Sequence, residues 1–236
     1  MEKLGDYIRE IERLKQKYSS SIKIFKSLEV DYIPGKTAPD SEFVRRAGLD
    51  YVIGSLHFLG EFDDGTDFAI DGPTSDFKRG YEELFHEDIK PLVKLYYELT
   101  REMIRLHRPD IVGHIDKIKM HNVGGKYFDE QEKWYRDEVM KTLETVKVMN
   151  VVMEVNTRGM YKKNAPEPYP AAWILTEARK LKIPVLINAD SHTPSELTLE
   201  FEKVTSLLLN TGFKEQRIFT ENGWQDVPFN ENGVII

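Results

Sequence analysis

Five short apolar runs, most of them parted by stretches of helical periodicity, constrain this 236-residue chain more than any other feature. The runs "IKIFKSLEVDYI", "DYVIGSLHFL", "DIVGHID", "VVMEVNT" and "PVLINADSH" are rich in aliphatic and β-branched residues and read as strands. Ahead of the first, Leu4, Tyr7, Ile8, Ile11, Leu14 and Tyr18 recur at helical spacing. Further helices are predicted from about Tyr81 to Leu106, from Glu130 to Met149 and through "YPAAWILTEARKLKI", and Leu197, Phe201, Val204 and Leu208 mark a last helical face. "GEFDDGTDFAIDGPTSD" reads as a lid or rim loop, and Asn222-Gly223 signals a hairpin near the end. Strands alternating with helices imply a parallel sheet, closed as a barrel or doubly wound. Without a linker or low-complexity tract, residues 1–236 are expected to form a single domain.

Every candidate strand ends on polar chemistry. Glu29 lies in "SLEVDY", His57 in "GSLHF", His114 in "VGHID", Glu154 and Asn156 in "MEVNTRG", and Asp190 with His192 in "NADSH". The carboxyl ends of parallel barrel strands converge on one face, so these scattered residues are expected to meet. Three of the six histidines occupy such ends, whereas His86, His107 and His121 fall on helices or a loop and are expected to be solvated, His121 lying within reach of the site. Histidine with carboxylate is a ligand set suited to Zn, Mn or Fe.

The chain has no cysteine, so a metal must sit on imidazole and carboxylate, and a reducing cytoplasm is the expected compartment. A net charge of -7 argues against a nucleic-acid partner, and no apolar stretch is long enough for a bilayer. A small phosphorylated ligand, needing one or two local cations, remains compatible, and so does a homo-oligomer.

The set "LEVDY", "GSLHF", "VGHID", "EVNTRG" and "ADSH", in this order and spacing, resembles the histidinol-phosphate phosphatase branch of the PHP (polymerase and histidinol phosphatase) family, from about Gly5 to the carboxyl terminus. The resemblance implies an α/β fold, a distorted (β/α)7 TIM-like barrel. It also implies two or three divalent ions that activate water to hydrolyse L-histidinol phosphate in histidine biosynthesis. Glu29, His57, His114, Asp190 and His192 match ligand positions, with Glu29 as the bridge between ions, and Arg158 matches a phosphate-binding position. On this reading Glu29, Asp190 and Arg158 carry catalysis. Lys117 is a second cation for the substrate, while Asp116, Glu154 and Asn156 support the ligands, the two carboxylates by accepting the second ring proton of a ligand histidine.

Members of this branch begin with a His-x-His strand and a second histidine-bearing strand, neither of which occurs in this sequence. The expectation is a barrel short of its first two βα units, with a weakened site. A non-catalytic remnant that binds metal or phosphate, or a PHP nuclease module, are the other classes compatible with these residues.

Overall fold

The computed structural model describes residues 2–235. The chain opens with α1 (Glu2–Lys17) and continues through β1 (Ser27–Asp31), α2 (Glu42–Arg46), β2 (Tyr51–Ser55), β3 (Phe58–Glu61) and β4 (Asp67–Ala69). It then runs through α3 (Thr74–Glu83), α4 (Ile89–His107), β5 (Ile111–Val112), α5 (Lys133–Met149), β6 (Val152–Asn156) and the single turn α6 (Arg158–Tyr161). The last elements are α7 (Ala172–Leu181), β7 (Val185–Asn188), α8 (Phe201–Thr211), β8 (Glu215–Thr220), β9 (Gly223–Asn230) and β10 (Gly233–Val234).

All five expected strands pair in parallel, in the order β1-β2-β5-β6-β7. The α/β class and the parallel sheet therefore stand. Among the described residues the sheet is open, since β1 and β7 share no ladder, so it is not a closed barrel. Beyond β7 the chain lays down β8, but that strand ladders with β9. Its tie to β7 is a side-chain contact, the Gln216 amide oxygen accepting the Ile187 N–H at 3.2 Å. Among the described residues no helix is long and apolar enough to cross a membrane.

Helix α4 packs on α5, α5 on α7 and α7 on α8, forming a layer against the sheet. Its centre is aromatic: Tyr96, Tyr97 and Tyr135 are fully buried, and Tyr97 and Tyr135 bond through their hydroxyls at 3.2 Å. Buried phenols need such partners.

Two elements differ from the sequence reading. The long helix expected over Tyr81–Leu106 is broken into α3 and α4, because His86 and Glu87 adopt positive φ and Asp88 caps the second helix by accepting the Lys90 N–H. The expected rim loop holds a β3–β4 hairpin, turned through Asp64-Gly65, where Gly65 has φ +82°. The strand expected across "DYVIGSLHFL" accordingly breaks between Ser55 and Phe58, leaving His57 free of a ladder.

The hairpin is anchored on α3 through Phe68, whose ring lies against Gly80. A Cβ at Gly80 would stand 2.2 Å from that fully buried ring. Helix propensity alone favours Gly80→Ala by about 1 kcal/mol, but overpacking a fixed ring costs roughly 1–3 kcal/mol. We expect the variant to be less stable in urea denaturation, and a gain in stability would show that the ring yields freely.

Candidate metal centre

At the carboxyl end of the sheet, three strands bring their side chains to one point. Glu29 projects from the middle of β1, while His57 and His114 follow β2 and β5 by two residues each. His114 Nε2 lies 3.0 Å from Glu29 Oε1 and 3.0 Å from His57 Nε2, and His57 Nε2 lies 3.8 Å from Glu29 Oε1. One donor atom from each falls within 4.8 Å of the others, the arrangement of ligands around a single ion. His114 is buried, and its approach depends on Gly113, where an added Cβ would meet Ser55 Oγ at 2.2 Å.

The electrostatics favour a cation. Burial pushes the Glu29 carboxyl up, but the His114 and His57 imidazoles beside it outweigh that and hold it well below the ordinary range. Burial disfavours charge on His57, and the Asp31, Asp71 and Glu29 carboxylates overcome it, so this histidine is raised. Asp31 contacts His57 at Nδ1, which leaves Nε2 directed at the other two ligands. Asp31 was missed in the sequence, although a residue two beyond Glu29 on a strand must share its face.

A second group gathers beyond β6 and β7. Asp190, at φ +49°, turns the chain after β7, and Arg158 Nη1 donates to its carbonyl at 2.7 Å. The same nitrogen stands 2.8 Å from His192 Nδ1 and 3.3 Å from the Tyr161 hydroxyl. The His192 side chain is 65% exposed. Glu196, also missed in the sequence, accepts the His192 N–H and pairs with Lys162, which holds its carboxyl down at about 2. The five expected ligands thus divide: three converge, and Asp190 with His192 sit around the guanidinium of Arg158.

The supporting residues also differ from expectation. Glu154 takes no ring proton. Its Oε2 accepts the His114 backbone N–H at 2.8 Å and the Asn156 amide at 3.1 Å, and its Oε1 accepts the Asn188 amide at 2.6 Å. Asn156 in turn reaches Asp190 Oδ2 at 3.4 Å. Among the described residues Asp116 bonds no histidine; its Oδ2 pairs with Lys119 at 2.9 Å and accepts the Ala171 N–H, because a fully buried carboxylate needs a cation and donors close by. Lys117 is buried and stands 3.5 Å from Asp71. His107 is not solvated but half-buried, 2.6 Å from Asp40. His121 packs on Phe77, and its buried Nε2 has no hydrogen-bond partner among the described residues. His86 is exposed as expected, though in the α3–α4 turn.

Residues 1–158 match the model of the PHP domain family. The chain belongs to the PHP domain family. The match takes in Glu29, His57 and His114 and ends at Arg158, so Asp190 and His192 lie beyond it. Relatives of this PHP chain include the histidinol-phosphatase of Bacillus subtilis, 28% identical over 207 residues that cover 84% of this chain and 74% of that protein. Among solved structures, the hisK protein of Listeria monocytogenes superposes with a TM-score of 0.75 at 26% identity, covering 86% of this chain and 76% of its own. The Lactococcus lactis histidinol phosphate phosphatase, solved with zinc, L-histidinol and phosphate, has a TM-score of 0.70 at 22% identity, over 94% and 79% of the two chains, and shows the shared fold.

If Asp31 sets the ring of a ligand histidine, Asp31→Asn should weaken zinc binding about 10- to 100-fold with little change in folding. Competition with a chromophoric chelator measures this, and wild-type affinity in the variant would remove Asp31 from the centre.

Proposed function

We propose that this PHP protein is a metal-dependent phosphomonoesterase that hydrolyses L-histidinol phosphate to L-histidinol and phosphate, in the cytoplasm, as a step of histidine biosynthesis. The observation that carries this reading is the convergence of Glu29, His57 and His114 in a PHP chain with histidinol-phosphatase relatives. We read the open sheet as the wall of a distorted TIM-like barrel within a single domain, with His57 and His114 just past the carboxyl ends of their strands, on the face where such barrels carry their sites.

The donor set of two imidazoles and a carboxylate fits a borderline divalent cation such as Zn, Mn or Fe. Such an ion supplies activated water at neutral pH and shields the phosphate oxygens. The remaining chemistry falls to the chain. Glu29, kept ionised by its two histidines, offers a carboxylate for ligation at every physiological pH. His57 presents Nε2 because Asp31 engages the other ring nitrogen. Asp190 and His192 are the remaining ligands for a second or third ion, and Arg158 must leave them to grip two phosphate oxygens with its planar fork. Lys117, three residues beyond His114, adds a second positive charge for the phosphate.

The test is phosphate release from L-histidinol phosphate by the purified chain. We expect activity that vanishes on chelation and returns with Zn or Mn, and a loss of at least about 100-fold in kcat/KM for His114→Ala, in keeping with the scale of metal-assisted catalysis. Hydrolysis that survives chelation would overturn the metal mechanism. Tight metal binding without hydrolysis would favour the non-catalytic reading.

An Arg158→Lys variant separates charge from geometry. Lysine keeps the charge but lacks the two-pronged fork, so affinity for inorganic phosphate should fall by about tenfold or more, as isothermal calorimetry would read. Unchanged affinity would confine Arg158 to holding the loop after β7.

A further inference from the structure

The β3–β4 hairpin ends beside the metal centre. Ile70 donates its backbone N–H to the His57 carbonyl at 2.8 Å, and this bond fixes the next residue, Asp71, against the ligand cluster. Asp71 Oδ2 lies 3.7 Å from His57 Nε2 and 3.5 Å from Lys117 Nζ, and among the described residues its carboxylate accepts no shorter bond. It stands next to the three converging ligands without joining them. Its side chain is 27% exposed and forms one wall of a cleft of about 520 Å³, lined further by Thr74, Met120, His121, Lys163 and Asn164. The chemistry described above assigns no task to Asp71 or to the cleft.

A carboxylate beside a phosphate site repels every simple phosphate ester. It favours only an ester that carries a cation close to its phosphate, so its placement acts on selectivity. We propose that Asp71 binds the primary ammonium of the substrate and that the cleft behind it takes the rest of the amino alcohol. This rests on the phosphatase reading and specifies its selectivity. In L-histidinol phosphate the ammonium is on the carbon next to the ester carbon, so it is the cation nearest the phosphorus. The imidazole lies farther out, where the cleft offers the amide of Asn164 and the ring of His121. The cleft volume is in the range of pockets that enclose small organic ligands.

The experiment compares L-histidinol phosphate with its deamino analogue, the same ester with hydrogen in place of the ammonium, on metal-loaded wild type and Asp71→Asn. The substitution is nearly isosteric. We expect the wild-type preference for the amino ester, as a ratio of kcat/KM values, to shrink at least tenfold in the variant, chiefly through KM. Calorimetry should show L-histidinol binding weakened by a similar factor. A preference that changes less than threefold, or an equal loss on both esters, would overturn the assignment. Wild-type protein that hydrolyses neither ester would instead remove the phosphatase reading. L-histidinol binding then decides the role of Asp71, and equal affinity in wild type and variant would overturn it.

Discussion

The buried carboxylate of Glu154 holds the working end of this molecule together. It lies in the middle of β6, a strand buried at all five positions, and it bonds to the backbone of His114, the amide of Asn156 and the amide of Asn188. A charge so placed is costly unless its lone pairs are filled, and burial raises its pKa against the pull of the neighbouring His114. The donors come from the ends of β5, β6 and β7, so the network sets those three ends relative to each other. On one side it fixes His114 in the ligand triangle. On the other, Asn156 carries the connection to Asp190 and, through its side-chain carbonyl, to the backbone of Arg158 at 2.8 Å. Two groups of candidate site residues are thus braced by one carboxylate that belongs to neither.

The strands could be read from the sequence because parallel strands buried on both faces appear as continuous apolar runs, and each run was closed by the residue that now marks its end. The interruption between α3 and α4 was hidden for the opposite reason. Tyr81, Leu84, Phe85 and Ile89 keep apolar residues coming through "FHED", and the break is signalled only by Asp88 as a cap and Pro91 in the first turn of α4. Periodicity alone does not say whether the first and last strands of such a set will meet.

In the site, the meeting of Glu29, His57 and His114 was readable because each lies on or just past one of three neighbouring parallel strands and needs no long-range information beyond their pairing. Partners were harder. Asp116, two residues from a ligand histidine, seemed placed to support it, but the direction of a side chain just past a two-residue strand is set by tertiary packing, and here Lys119 and the Ala171 N–H claim it. Asp71 left no trace in the sequence beyond a turn. Its meeting with His57 depends on the chain doubling back through β3 and β4, a contact that local propensity does not encode.

That doubling back has an evolutionary consequence. The hairpin is an excursion between β2 and α3, paired to itself and absent from the ladder of the five-stranded sheet. Residues in it can be replaced, lengthened or shortened while the strands bearing Glu29, His57 and His114 keep their register, because tolerance to change concentrates in such surface connections. The candidate metal cluster and the carboxylate of Asp71 are therefore carried by separately mutable parts of the chain. Rebuilding this rim could remove or move the carboxylate of Asp71 while the three strands behind it stay as they are.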